Sequence, residues 1–169
     1  VYKELMNSVY AINVIAAIVS MWIYAIVGSI RKEPIARKIK NKTVTPASMF
    51  MIILSALGNP ERKVKFIHIA GSNGKGSTLN ATREILMNHG KRVGAFISPH
   101  LERPNERVTI NKVQITDEQF LHYANKIAFV VETELDGKFP SFFEFMTIIG
   151  FLHFANEQVD VVVLETGIG

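Results

Sequence analysis

A short apolar run that breaks into a glycine-rich loop constrains this chain more than any other feature. The run covers residues 64–70, and the stretch after it reads G-S-N-G-K-G-S-T from Gly71 to Thr78. Apolar and β-branched residues over this length predict a buried strand, and the glycines predict a tight loop before a helix. Strand, loop and helix together form an anion cradle, because glycines let backbone N–H groups approach an anion and the helix directs its positive dipole end toward it.

The side chains of this loop predict a nucleotide-phosphate site with a magnesium ion. Lys75 is placed to reach the outer phosphates, and the hydroxyl of Ser77 or Thr78 suits the metal. The spacing departs from the general P-loop pattern, since only two residues separate the first two glycines and a glycine follows the lysine. An ordinary glycine-rich turn with a solvated lysine is the alternative interpretation.

Composition excludes several classes of protein. The chain has 169 residues, of which 48% are hydrophobic and 20% are charged, so it is long enough for one domain with a core. It contains no cysteine, which excludes disulfides, thiolate zinc sites and cysteine nucleophiles. The net charge of +4 comes largely from residues 31–42, where no aromatic residues interleave with the basic ones. We therefore expect no nucleic-acid partner.

Residues 9–30 contain no charged side chain and predict a membrane-spanning helix. A helix of this length rises about 33 Å, enough to cross the hydrocarbon core of a bilayer. The basic residues follow directly, and the positive-inside rule places them on the cytosolic side together with the glycine loop. The alternatives are a buried helix and an N-terminal segment that is joined to this chain only through an error in the gene boundary. We expect residues 1–45 to form this apolar helix and a basic linker, and a separate domain to begin at residue 46.

The residues around the glycine loop predict a β-α-β unit, and hence a parallel sheet flanked by helices. Thr45 and Pro46 suit the start of a helix that extends to about residue 57. Residues 77–88 have the apolar spacing of a helix, and residues 92–97 form the next apolar strand. Because a helix joins the two strands, we expect them to run parallel in an α/β domain.

The second half of the chain adds a hairpin and two helices to this prediction. Residues 107–115 alternate as a hairpin with an Asn-Lys turn. Capping boxes that begin at Thr116 and Ser141 predict helices that extend to about residues 134 and 156.

Polar side chains follow two predicted strands at the edge where parallel α/β sheets bind ligands. The strand over residues 92–97 is followed by Ser98, and the strand over residues 159–164 is followed by Glu165. Both should therefore lie beside the glycine loop. A carboxylate near phosphates predicts a magnesium ligand, because Mg²⁺ prefers oxygen; a carboxylate that only ends the strand is the alternative. By composition alone, the loop after Ser98 also fits a solvated loop.

Several motifs together resemble one enzyme family. The stretches I-H-I-A-G-S-N-G-K-G-S-T, V-G-A-F-I-S-P-H-L and N-E-R-V-T-I-N occur in that order. The chain from residue 46 onward thus resembles the folylpolyglutamate synthase and dihydrofolate synthase family, part of the ATP-dependent Mur ligase superfamily. The resemblance implies that residues 46–169 form a truncated central ATP-binding domain of Mur ligase type, without the C-terminal glutamate-binding domain.

The resemblance also implies the roles of individual residues. Lys75 is the catalytic residue. The ATP phosphates are bound by Gly71, Ser72, Asn73, Gly74, Lys75, Gly76, Ser77 and Thr78. The Mg²⁺ ligands are Ser77, Ser98 and Glu165.

The activity implied by the resemblance is ATP-dependent addition of L-glutamate to a folate or dihydropteroate acceptor through an acyl phosphate. We expect the given chain to bind ATP and Mg²⁺ but not to catalyse ligation alone. We also expect a monomer in the cytoplasm, or one anchored to a membrane through residues 9–30 with its ATP site in the cytosol. A Mur-type ligase with another acceptor and a membrane-tethered nucleotide-binding module without ligase activity are the alternatives.

Overall fold

A computed structural model describes residues 45–165 of the chain. Within these residues four α-helices and five strands follow one another as α1 (Pro46–Ala56), β1 (Phe66–Ile69), α2 (Lys75–Asn88), β2 (Val93–Phe96), β3 (Val108–Ile110), β4 (Val113–Gln114), α3 (Asp117–Glu134), α4 (Phe142–Asn156) and β5 (Val161–Glu165). Short 3-10 helices at Pro60–Lys63 and Pro104–Arg107 complete the order. The apolar helix predicted over residues 9–30 lies outside the described residues. None of the helices between residues 45 and 165 is long and apolar enough to cross a membrane.

The strands form one mixed sheet in the order β1-β5-β2-β3-β4. β1, β5 and β2 run parallel, whereas β3 and β4 add to β2 in antiparallel orientation. The predicted parallel pairing is thus confirmed for the strands on either side of α2, with β5 between them, and β3 and β4 form the predicted hairpin. No α-helix crosses over between β2 and β3, and a parallel connection needs such a crossover. Asn111 and Lys112 both have positive φ and turn β4 back on β3, as the hairpin prediction requires.

Three helices begin at the caps that the sequence indicates. The hydroxyls of Thr45, Thr116 and Ser141 accept hydrogen bonds from backbone N–H groups three residues later, at 3.2, 3.2 and 3.3 Å. α2 instead begins two residues earlier than predicted, at Lys75. Its N-cap is Gly74, whose φ of 75° is a conformation that glycine adopts without strain.

Helices cover both faces of the sheet. The larger buried cluster joins one face to α1, α3 and α4, and the smaller one joins the other face to α2. α4 lies very close to β2, since a Cβ atom on Gly94 would stand 2.8 Å from Cδ1 of Phe154. A Cβ on Gly150 would likewise stand 3.1 Å from Cδ2 of Phe96. The two glycines therefore let two buried phenylalanine rings interlock between helix and sheet.

β1 is shorter and more exposed than the sequence predicts. The expected buried strand covers residues 64–70, but Ile69 is its only buried residue, while Phe66 is 36% exposed and Ile67 is 37% exposed. β1 is the terminal strand of the sheet in the described part of the chain and pairs only with β5 there. Phe66 is covered in part by Phe151 of α4, with ring centroids 5.2 Å apart.

Candidate functional site

The glycine loop lies between the end of β1 and the start of α2. Gly71 has a φ of 149° and Gly74 a φ of 75°, both in the range that favours glycine. No side chain caps the first turn of α2. The N–H groups of that turn therefore lack the partner that a serine or aspartate cap would supply, which suits an anionic ligand.

The side chains of the loop divide into two groups. The Nζ of Lys75 donates to the carbonyl oxygen of Gly71 at 2.7 Å, and the hydroxyl of Thr78 donates to the carbonyl oxygen of Gly74 at 3.0 Å. No such bond to a described residue engages the hydroxyl of Ser77, which is exposed. The remaining exposed positions of the loop are Ser72, Asn73, Gly74 and Gly76. Of the two predicted hydroxyls, Ser77 is thus the one available to a ligand.

Glu165 ends β5 directly beside the loop. It is the sheet partner of Ile69, the last residue of β1, so the two strands deliver the loop and the carboxylate to the same edge. Val163 lies in the buried cluster with Leu79 of α2, and side chains two residues apart in a strand share a face. The Glu165 side chain therefore lies on the face that α2 covers.

The burial of Glu165 fits a cation ligand. The residue is 7% exposed, and the ion pairs among residues 45–165 do not include it. A buried carboxylate without a cationic partner is costly, and a bound cation removes that cost. The described residues contain no cluster of three histidine or acidic side chains that fits a metal ion. One carboxylate beside a phosphate loop suits Mg²⁺, which retains water molecules and binds substrate phosphates together with few protein ligands.

Ser98 lies at the same edge of the sheet. β2 ends at Phe96, which is the sheet partner of Leu164 in β5, so Ser98 follows β2 where Glu165 ends β5. Ser98 is half-buried, and the N–H of Ile97 before it donates to the carbonyl oxygen of Arg107 at 3.0 Å. The strand register thus brings together the three positions that the sequence predicts for phosphate and metal: the glycine loop, Ser98 and Glu165.

The loop after Ser98 is held by side chains whose roles were not predicted from the sequence. The Glu106 carboxylate accepts hydrogen bonds from the N–H groups of Leu101, Glu102 and Arg103, at 2.7, 3.0 and 2.7 Å. These bonds hold the pKa of Glu106 below its ordinary value. In the sequence, the one indication of this role is that the glutamate stands three residues after Arg103, which is the spacing of a helix capping box.

A salt bridge fixes the far side of the same loop. Arg103 donates two hydrogen bonds to the Asp117 carboxylate, at 2.6 and 2.8 Å, and Asn105 donates a third at 2.9 Å. The bonds from Arg103 and Asn105 hold the pKa of Asp117 below its ordinary value. The loop is therefore ordered by side chains at its base, although its surface is polar and exposed.

Relatives of the chain share one named activity. The chain is 40% identical over 120 residues to the dihydrofolate synthase/folylpolyglutamate synthase of Bacillus subtilis, a match that covers 69% of the chain and 28% of that protein. It is 39% identical over 110 residues to the human mitochondrial folylpolyglutamate synthase, which covers 63% of the chain and 19% of that protein. The chain thus spans less than a third of the length of these relatives. No family model matches it.

Solved structures of similar fold carry the same name. The folylpolyglutamate synthase of Thermotoga maritima superposes with a TM-score of 0.67 at 42% identity, over 72% of this chain and 29% of that one. The Mycobacterium tuberculosis folylpolyglutamate synthase complexed with ADP superposes with a TM-score of 0.67 at 32% identity, over 75% and 29% of the two chains.

Proposed function

Because the described part of the chain belongs to the folylpolyglutamate synthase and dihydrofolate synthase family, we propose that it binds Mg-ATP within a ligase that joins L-glutamate to a folate or dihydropteroate acceptor. The observation that carries this proposal is the glycine loop beside a buried carboxylate that has no ion-pair partner among residues 45–165. Gly71 and Gly74 have glycine-type φ angles, and Glu165 lies beside Ile69 at the loop's origin. The ADP complex of the M. tuberculosis relative supports nucleotide binding.

The phosphates of ATP bind at the N-terminus of α2. The N–H groups of Gly74, Lys75 and Gly76 and the dipole of the helix contact the phosphate oxygens. Lys75 leaves the Gly71 carbonyl, to which it donates at 2.7 Å, and moves to the outer phosphates. Ser72, Asn73 and Thr78 complete the cradle through backbone groups and through the position of the helix.

Ser77, Ser98 and Glu165 would hold the magnesium ion. Two hydroxyls and one buried carboxylate are hard oxygen donors, which is the chemistry that Mg²⁺ selects. When bound, the ion neutralises charge on the phosphate oxygens of ATP.

The reaction activates a carboxylate that is otherwise a poor electrophile, because its charge repels nucleophiles and oxide is a poor leaving group. The acceptor carboxylate attacks the γ-phosphorus of ATP, the bond to ADP breaks, and an acyl phosphate forms. The amine of L-glutamate then attacks the acyl carbon, loses a proton, and displaces inorganic phosphate. Lys75 and the N–H groups of α2 contribute positioning and charge neutralisation to the first step.

ADP release tests this proposal. Since the chain spans 28% of the Bacillus subtilis relative, residues 45–165 are exchanged into that protein in place of the matching segment. With Mg-ATP and L-glutamate, we expect ADP release from the chimera only when dihydropteroate or tetrahydrofolate is added. The same chimera with Lys75→Ala is the matched control and should release none. ADP release without an acceptor, or none from a chimera that still binds ATP, would contradict the proposal.

A further inference from the structure

Arg107 is a buried cation without an acidic partner in the described part of the chain. It is 8% exposed, and the ion pairs found among residues 45–165 do not include it. Buried charges are costly unless they are paired, and buried arginines ordinarily bind a carboxylate or a phosphate. The position therefore suits an anion that comes from outside these residues.

His100 and Phe142 hold the guanidinium group. The Nε of Arg107 donates to Nδ1 of His100 at 2.8 Å, and its Cζ lies 5.5 Å from the centroid of the Phe142 ring. Because Nδ1 accepts this bond, the imidazole carries its proton on Nε2. The two terminal nitrogens of Arg107 make no hydrogen bond to a described residue. Histidine and phenylalanine thus fix the plane of the group while its outer donors stay available.

Arg107 lies at the ligand-binding edge of the sheet. Its carbonyl oxygen accepts from the N–H of Ile97, the residue before Ser98, at 3.0 Å. The adjoining Glu106 accepts three backbone hydrogen bonds from the loop that follows His100. These bonds hold the loop, and with it His100, in position beside Arg107. Phe142, in the first turn of α4, is 52% exposed. A buried cation and an exposed aromatic ring are thus presented side by side.

We propose that Arg107 binds the carboxylate of a ligase substrate and that His100 is the positioning residue that holds the guanidinium in the plane required. The proposal rests on the proposed function, in which the acceptor and L-glutamate both carry carboxylates. A guanidinium group binds a carboxylate through two parallel hydrogen bonds, and these form only when the two planes coincide. His100 contributes by fixing Nε, and it does not touch the substrate.

The test follows the Nε–H signal of Arg107 by NMR in the 169-residue chain. Folate, L-glutamate and Mg-ATP are titrated separately, so that the two carboxylate sources and the nucleotide are distinguished. We expect a saturable shift with one of the two carboxylate probes. His100→Leu, which removes the acceptor, should weaken that binding about tenfold, whereas His100→Asn, whose amide oxygen takes the place of Nδ1, should bind as the parent does. The signals of residues 71–78 should respond to Mg-ATP equally in all three proteins.

Two controls separate this proposal from its alternatives. Arg107→Lys keeps the charge but cannot offer two parallel bonds. Its carboxylate binding, followed through the backbone N–H signal of residue 107, should also be about tenfold weaker, even if His100→Leu does not fold. No shift with either carboxylate, a shift with Mg-ATP alone, or equal weakening in His100→Leu and His100→Asn would overturn the proposal. Loss of the Mg-ATP response at residues 71–78, with carboxylate binding intact, would count against the proposed function and not against this role of Arg107.

Discussion

The Nζ atom of Lys75 donates a hydrogen bond to the carbonyl oxygen of Gly71 at 2.7 Å, so the lysine lies over the loop in which it stands. A phosphate bound by the loop would compete with this carbonyl oxygen for the same donor. Lys75 is only half-buried, so its ammonium group stays close to water when this hydrogen bond breaks. The free-energy cost of breaking the bond is therefore small. The arrangement therefore favours exchange of the lysine from loop to ligand.

A substitution at Gly76 tests whether this glycine is needed for ligand binding or for the stability of the fold. It lies inside α2, and a Cβ atom there would meet nothing within 4 Å. Gly76→Ala should raise the free energy of unfolding by up to about 1 kcal/mol, because alanine favours the helix, yet weaken Mg-ATP binding by crowding the phosphates. Urea unfolding and ATP titration measure the two effects. Gly74→Ala is the control, since its φ of 75° should make that variant less stable. Unchanged ATP affinity in Gly76→Ala would contradict the assignment of Gly76.

The Glu165 carboxylate should lower the free energy of unfolding when no metal is bound, and it should strengthen the effect of Mg²⁺ on ATP affinity. Glu165→Gln removes a buried charge that has no partner among the described residues, so the free energy of unfolding in EDTA should rise by about 1 kcal/mol. The same variant should lose most of the effect of Mg²⁺ on ATP affinity. Glu134→Gln, at an exposed position at the end of α3, should change neither property. If Mg²⁺ strengthens ATP binding equally in Glu165→Gln and the parent, Glu165 is not a ligand.

Gly94 should be irreplaceable for packing. A Cβ atom at this position would stand 2.8 Å from the ring of Phe154, which is fully buried. Gly94→Ala should therefore lower the free energy of unfolding by about 1–3 kcal/mol, as measured in urea. Gly76→Ala serves as the comparison, because nothing blocks its Cβ. A Gly94→Ala protein as stable as the parent would show that α4 does not pack on β2 as described.

His153 should make stability depend on pH. It is 4% exposed, its Nδ1 has no hydrogen-bond partner in the described residues, and burial lowers its pKa against a smaller opposing effect of Glu157. The unfolded chain binds a proton at this imidazole near pH 6.5, whereas the folded chain does so only at lower pH. Its contribution is therefore complete above about pH 6.5 and is lost as the pH falls below that value.

Urea unfolding across the same pH range, with His153→Gln as the control, measures this dependence. The variant has no imidazole at this position, so its stability should fall less than that of the parent between about pH 6.5 and pH 5. Glu106 and Asp117, whose pKa values are lowered, lose their contributions only below about pH 4.5, outside this window. If the free energy of unfolding falls equally with pH in the parent and in the variant, His153 is not buried in its neutral form.

Local signals in the sequence predicted the helix starts and the hairpin. The caps at Thr45, Thr116 and Ser141 and the turn at Asn111 are set by residues within a few positions of one another. The start of α2 was predicted two residues too late, because its N-cap is a glycine and a glycine has no side chain to indicate a cap.

Contacts between distant residues were beyond the reach of such signals. β5 inserts between β1 and β2, which no pattern near residues 161–165 indicates. The guanidinium group of Arg107 lies 5.5 Å from the ring centroid of Phe142, which is far along the chain. Glu165 was predicted from its place after a strand, but its pairing with Ile69 follows only from the observed strand order.

Titration of the 169-residue chain with Mg-ATP, followed by calorimetry, tests the account most directly. We expect the parent to bind one nucleotide and Lys75→Ala to lose that binding while its unfolding curve stays close to that of the parent, because it gives up a single half-buried hydrogen bond. Lys138→Ala, at an exposed lysine beyond α3, should bind as the parent does. Equal ATP affinity in Lys75→Ala and the parent would contradict the assignment of the glycine loop as the phosphate site.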